Sequence, residues 1–366
     1  MAITRITAPA LQSVREPNFR NIVINGDMAV SQRATSTASV TTNGYHACDR
    51  FRWASGPSTT AVVTISQDTD VPTGEGFATS FKVDVTTADA SLDAADNIMV
   101  QQKFEGQNLQ YLAKGTSDAK STTLSFWVKS TKTGTYIATL YDRDNSRIIS
   151  KSYTVSVSDT WEKKSVTFAG DTTGALGNDT GASLDVWWWV GGGSNYTSGS
   201  LATSWETYTA ANIAPGQVNF LDSTSNNFLL TGVQLEAGSV ATDFEVVPFG
   251  QNVERCCRYY QKYAKTVGPL QKNYYVGVNV STSLADFQID LVTPMRAAPT
   301  FGQSGTASDY NIDAVACAAI PTSAQGTSEC GAGIRLTATG TPLVNKEAAY
   351  STMVNSDSYF GFDAEL

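Results

Sequence analysis

The feature that most constrains this chain is its punctuation. From residue 22 to residue 236, short alternating apolar and polar runs recur roughly every ten residues, with turn residues between them. A half-buried strand alternates with period two. Many short strands separated by turn signals are the pattern of a β-sandwich. Phe81-Lys82-Val83-Asp84-Val85 reads apolar inward and charged outward. Tyr136, Ala138 and Leu140 fall on one strand face, and Val166 and Phe168 point inward beyond an exposed Lys163-Lys164. Phe51 and Trp53 share a face opposite Arg50 and Arg52. Asn25-Gly26-Asp27 reads as a tight turn between two extended stretches, and Asp142 to Asn145 as a hairpin turn. One short helical turn is expected at 108–114. At least ten candidate strands precede residue 237, against the eight or so of a jelly roll.

The expected organisation is an antiparallel jelly-roll β-sandwich over residues 19–250 and a smaller β-rich domain over 251–366, an all-β chain. Pro248 and Gly250 mark the boundary. Residues 253–264 fit two readings. Val253, Cys256, Cys257, Tyr260 and Ala264 would share a helical stripe, and the same stretch could run as a strand. Strands are expected at 274–280, 285–291, 314–319, 333–338 and 359–365, with long loops among the small residues of 302–332. Residues 1–18, interrupted by Pro9 and Pro17, read as an extended arm that a partner orders or as a frayed terminus.

Composition excludes several function classes. The 366 residues carry a formal charge of −9, and Lys and Arg are not clustered. A duplex-binding surface needs such clusters to displace counterions, so nucleic acid is not an expected partner. No run approaches the ~20 apolar residues of a membrane span, so no membrane insertion is expected. MAITRITAPALQSV lacks a basic head followed by an apolar run, so no secretory leader is expected. The five cysteines, Cys48, Cys256, Cys257, Cys317 and Cys330, include no CxxC pair and are odd in number. They read as reduced, buried thiols rather than a zinc site or a disulfide framework.

Catalysis finds little support. A Ser–His–Asp arrangement would have to use His46, the one histidine, near Cys48 and Asp49, and no G-x-S-x-G elbow is present. Glycoside hydrolysis needs two carboxyls at a set separation. Asp93, Asp96, Glu105, Asp142, Asp144, Asp185 and Glu206 are candidates, but nothing selects two of them. Repeats of the kind that build β-helical depolymerases are not evident. The chain is therefore not expected to be an enzyme. Asp142 and Asp144, with Asn145, have spacing that can wrap a cation, without the EF-hand consensus.

Aromatic residues are the best candidate binding chemistry, because a sugar's apolar face stacks on Trp or Tyr while its hydroxyls need polar groups nearby. Trp187, Trp188 and Trp189 stand in a row, followed by Asn195 and Tyr196 and then by Trp205 and Tyr208. In a strand Trp187 and Trp189 share one face and Trp188 takes the other. One face should be core and the other could be a glycan platform. Burial in the core or in a subunit interface is the competing reading.

Seven phrases run in a fixed order: NIVINGDMAVSQR (21–33), GYHACDRFRW (44–53), TLSFWVKS (123–130), TWEKKSVTF (160–168), LLTGVQLEAGSVATDFE (229–245), CCRYYQKY (256–263) and MRAAPT (295–300). Together, over roughly residues 18–300, they resemble a family of bacteriophage tail-fibre or virion structural proteins. In that family a jelly roll like a carbohydrate-binding module precedes a small β-rich domain. The resemblance implies a particle component made in the host bacterial cytoplasm and carried on the tail or capsid surface. It implies a homo-oligomer, a trimer, with the N-terminal arm docking on other virion proteins and host surface polysaccharide as a further partner. A tail fibre or receptor-binding element is the leading expectation. A capsid decoration or head-fibre protein is the first alternative and a polysaccharide depolymerase the second. No cofactor is expected beyond the structural calcium that such jelly rolls often hold. The resemblance places Trp53, Trp127 and Trp161 in the core, and makes Asp49 and Arg50 a buried charge pair that fixes the start of a strand.

Overall fold

The computed structural model describes residues 20–265, 268–272, 274–304, 306–319, 324, 326–340, 342–356 and 358–366. The arm expected at 1–18 lies outside the described residues.

Among the described residues, twelve strands build the first domain. They are β1 (Ser36–Val40), β2 (Arg52–Ala54), β3 (Val62–Asp68), β4 (Ser80–Thr87), β5 (Asn97–Glu105), β6 (Thr122–Ser130), β7 (Gly134–Asp142), β8 (Arg147–Val155), β9 (Glu162–Phe168), β10 (Ala182–Gly192), β11 (Glu206–Thr207) and β12 (Asn227–Ala237). They form two six-stranded antiparallel sheets, ordered β1-β3-β4-β12-β6-β9 and β11-β8-β7-β10-β5-β2. The chain is all-β and this domain is a jelly-roll sandwich, as the punctuation predicts. Phe81, Val83 and Val85 of β4 face inward with Phe126 and Val128 of β6. From the second sheet Tyr136, Ala138 and Leu140 meet them. Trp188 sits at the centre, 6.1 Å from the Phe51 ring and 6.2 Å from that of Phe126.

Residues 22–24 alternate like a strand but join no sheet. They pack as a plug with one backbone bond to β12, from Ile22 N–H to the Leu235 carbonyl at 2.8 Å, and side-chain amides in place of further ladder bonds. Ile24 N–H donates to Gln102 Oε1 at 2.8 Å, and Gln102 Nε2 donates to the Ile24 carbonyl at 3.0 Å. The turn that follows is real, with Asn25 in the left-handed region (φ 62°). Gly26 lies so close to β12 that a Cβ would stand 2.1 Å from the Val233 carbonyl oxygen.

The second domain opens with α1 (Phe249–Cys257), which runs straight into β13 (Tyr260–Ala264). Residues 253–264 are thus a helix and then a strand, and the boundary expected at 250 falls inside α1. Further strands are β14 (Leu270–Gln271), β15 (Tyr274–Asn279), β16 (Leu284–Asp290), β17 (Thr300–Gln303), β18 (Tyr310–Ile312), β19 (Val315–Ala319), β20 (Gly326–Ser328), β21 (Gly331–Ala338), β22 (Ala348–Met353) and β23 (Tyr359–Asp363). The order β16-β15-β22-β18-β19-β21 closes on itself through a β16–β21 pairing, giving a small barrel. A second sheet, β14-β13-β23-β17, supplies Phe360 and Phe362 to the same core. Within 302–332, β19 falls on the strand expected at 314–319, and β18 and β20 are short strands where loops were expected.

Side-chain clasps join the domains. Glu105 of β5 accepts two bonds from Arg258, both 2.7 Å, and one from the Tyr259 hydroxyl at 2.6 Å. Burial pushes the Glu105 carboxyl up, but the bonds from Arg258 and Tyr259 and the Arg258 charge outweigh it and hold the group below its usual value. Glu365 pairs with buried Arg50 and lies 3.4 Å from Arg33, whose other contact is Asp363 at 2.8 Å. Arg50 and Arg33 stack on Tyr259 and Tyr260 at 3.5 and 3.7 Å. Asp49 and Arg50 are both buried but do not pair with each other, which corrects the expectation. Asp49 instead accepts from the Gln32 backbone and side chain at 2.9 and 2.6 Å. Arg50 takes φ 71°, so its side chain leaves the strand path toward the second domain.

Candidate functional site

The tryptophan row divides between two layers. Trp188 is fully buried in the sandwich core. Trp187 and Trp189 lie on the outer face of the second sheet, but the segment 193–214 folds over them. Ile213, Ala202 and Ala214 seal this second core, with Tyr196 and Tyr208 half-buried at its margin. Trp189 is 0% exposed and Trp187 8%. A ring with no open face cannot stack a sugar, so the platform expected of Trp187, Trp188 and Trp189 is corrected to two layers of core. Asn195 is exposed on the covering segment. Trp205 is half-buried and donates from Nε1 to the Ala169 carbonyl at 2.7 Å. Trp205 and Tyr208 therefore belong to different neighbourhoods, and the seven candidates do not converge.

The expected cation position at Asp142 is already filled by the chain itself. Lys114 Nζ bonds Asp142 and lies 3.0 Å from Asp171 Oδ2. It also donates to the Thr173 and Gly174 carbonyls at 3.1 and 2.9 Å. Asp144 turns away and accepts from Gly177 N–H at 2.7 Å. Asp142 and Asp144 are thus not a calcium pair. Among the described residues no group of three or more His, Cys, Asp or Glu is placed to hold a metal ion.

The remaining acids of the sugar-cleaving reading are scattered and mostly engaged. Asp96 is buried and accepts backbone N–H bonds from Ser58 and Asp93, both 2.9 Å. Asp185 holds Arg143 through two bonds of 2.8 and 2.6 Å, and Glu206 accepts from Asn212 at 2.8 Å. Asp93 is exposed on a loop. His46, half-buried, bonds the Thr42 carbonyl at 3.0 Å, and burial lowers its pKa. Cys48 and Asp49 point into the core, away from it. Burial raises the Cys257 and Cys317 thiols to about 12. Cys330 is exposed, which departs from the expectation of five buried thiols.

An open aromatic surface does exist, on the outer face of the first sheet. Trp127 was expected in the core. It is half-buried on the outside of β6, because Phe126 and Val128 take the inner face. Beside it runs a groove of about 270 Å³. Trp127, Phe77 and Phe244 give it an apolar floor, and Asp27, Glu75, Ser125, Lys163, Thr242 and Asp243 give it a polar rim. Phe77 and Phe244 meet edge to face at 5.1 Å. Gly232 (φ 60°) makes the floor possible, since a Cβ there would lie 2.6 Å from Phe77 and 3.1 Å from Trp127. Trp161 is half-buried on the same side and donates to Asp70 at 2.9 Å. Only Trp53 of the three expected core tryptophans is fully enclosed. The signal for Trp127 is its parity with Ser125 and Lys129, a polar, outward set.

A larger cleft of about 530 Å³ lies where α1 meets the sandwich, lined by Ile22, Ile24, Phe104, Tyr111 and Tyr259 among others. Arg258, at its edge, is committed to Glu105.

No family model matches the chain, and no curated protein matches its sequence. Among solved structures, it is similar to the enzymatically active domain of bacteriophage CBA120 tailspike protein 4, with 15% identity and a TM-score of 0.32 over 60% of this chain and 22% of that one. It is also similar to a family 11 carbohydrate-binding module from Clostridium thermocellum in complex with a β-1,3-1,4-mixed-linked tetrasaccharide, with 11% identity and a TM-score of 0.27 over 58% of this chain and 99% of the module. The CBM22-1 xylan-binding domain from Paenibacillus barcinonensis gives 12% identity and a TM-score of 0.25 over 58% of this chain and 94% of that one. The chain thus spans about a fifth of the tailspike domain it matches.

Proposed function

We propose that this chain is a structural protein of a phage particle, carried on the tail as a fibre or receptor-binding element, and that its sandwich contacts host surface glycan. The observation that carries the glycan part is the groove beside Trp127. There an outward indole shares a floor with two phenylalanines inside a rim of hydroxyls, carboxylates and an ammonium. That pairing of ring face and polar edge is what a sugar needs. The particle part rests on the seven ordered phrases. We read the partner of the barrel as a second copy of the chain, a trimer in the assembled fibre. Supporting this is an apolar sector of barrel wall, where Tyr274, Val276 and Val278 of β15 and Tyr350 of β22 all face solvent.

Three measurements test the proposal. On a glycan array the wild type should bind and Trp127→Ala should lose most of the signal, while Trp189→Ala, altering a covered ring, should act only through stability. Immunogold labelling should fall on the tail; labelling on the shell would replace the tail placement with a capsid one. Light scattering should give three times the chain mass, and Val276→Glu should shift it toward one.

A further inference from the structure

We infer that the groove beside Trp127 selects neutral sugars and turns away acidic ones; this rests on reading that groove as the glycan site. Two loops wall it. Residues 71–79 bring Glu75, and the linker after β12 brings Asp243, both exposed. Neither carboxylate has a hydrogen bond or ion pair among the described residues, the nearby Arg20 guanidinium donating to the Asp243 backbone carbonyl at 3.0 Å rather than to its carboxylate. A third carboxylate, Asp27, lines the inner end, where Asn252 donates to one of its oxygens at 3.0 Å. Against these three stands Lys163, the one cationic side chain lining the groove among the described residues, directly across the strand pair from Trp127.

A uronate or phosphorylated sugar stacked on the indole would bring its own negative charge beside two unneutralised carboxylates. A neutral ring would meet acceptors for its hydroxyls and no repulsion. Discrimination of this kind comes from the repulsive element as much as from the attractive one. It weakens with salt, because the charges are exposed. The chain's formal charge of −9 acts in the same direction at long range.

The test uses the full chain run through native gels containing neutral polymers (dextran, mannan, xylan, galactan) or acidic ones (polygalacturonate, hyaluronan). The expected result is retardation by at least one neutral polymer, with the acidic ones weaker by on the order of tenfold at low salt. The gap should narrow at high salt. Glu75→Gln with Asp243→Asn should move the acidic-to-neutral ratio toward one, and Lys163→Gln should move it the other way. Thermal melts of each variant separate this effect from misfolding. Acidic polymers bound as well as neutral ones, or a ratio indifferent to the double substitution, would overturn the selectivity and leave the glycan site standing. Retardation by none of the polymers would overturn both.

Discussion

Lys114 sends its ammonium into a cage of four oxygens supplied by Asp142, Asp171, Thr173 and Gly174, and its side chain is almost fully buried. Removing it leaves two carboxylates in the interior, with Arg147 compensating only Asp171 at 2.7 Å. Lys114→Met should therefore cost about 3–5 kcal/mol in urea unfolding, the usual penalty for stripping one partner from a buried pair. Lys114→Ala, which leaves room, should regain stability on adding calcium, while the wild type should not respond. A calcium-indifferent Lys114→Ala would show that the cage is not adaptable to a metal. Asp49 makes a second prediction at this scale. Burial raises its carboxyl to about 6, despite Arg33 and the Gln32 bonds. A group raised on folding contributes stability that is full below the unfolded value near 4 and is lost as pH rises through the folded value. Relative to Asp49→Asn, the wild type should lose up to about 3 kcal/mol between pH 4 and pH 7. A flat difference curve would contradict the burial of this charge.

Strands divide into those whose two faces are legible and those that are not. β4 is legible, since Phe81, Val83 and Val85 alternate with charge and the inner face follows. β10 is apolar on both faces, and its alternation separates Trp188 from Trp187 and Trp189 correctly. What covers the outer pair cannot be read from the strand. The cover is residues 193–214, a segment without periodicity, anchored by bonds such as Ser150 N–H to the Ala202 carbonyl at 2.7 Å. The extended stretch at 22–24 joins no sheet for a related reason: it makes one backbone bond to β12, from Ile22 N–H to the Leu235 carbonyl, and its other N–H groups donate to the side chains of nearby Asn21 and distant Gln102. Trp127 was legible and was missed. Its neighbours Ser125 and Lys129 point outward, yet its place in an apolar phrase suggested core. The structural contrast predicts a functional one. Trp188→Ala should cost about 3–5 kcal/mol, as large core truncations do. Trp127→Ala should cost about 1 kcal/mol or less while removing sugar binding. Denaturation midpoints measured beside array signals would separate the two, and equal stability losses would place Trp127 in the core after all.

Two neighbouring clasps, linked through Tyr259, tie the sandwich to the barrel: the Tyr259 hydroxyl bonds Glu105 while its ring carries Arg50. Glu105 reaches from the sandwich to Arg258 and Tyr259, and Glu365 reaches from the barrel side to Arg50. With both in place the domains should melt in a single calorimetric transition. Glu365→Ala leaves Arg50 buried without its counter-charge and should cost about 3–5 kcal/mol. Glu105→Gln leaves the part-exposed Arg258 and should cost less, and the two losses should not add because both clasps act on Tyr259. The scan should then split into two peaks; one unsplit peak would assign the coupling to packing alone. The clasps also decide how the molecule answers a pull. A load drawn between the sandwich and the barrel meets the two carboxylates before it straightens residues 238–248. That segment is itself stapled to the sandwich, Thr242 N–H donating to Glu236 and Glu245 N–H to Gln234 Oε1, both at 2.8 Å. It therefore offers no free length to release, and the pair swings as a single lever instead of trailing like beads on a thread.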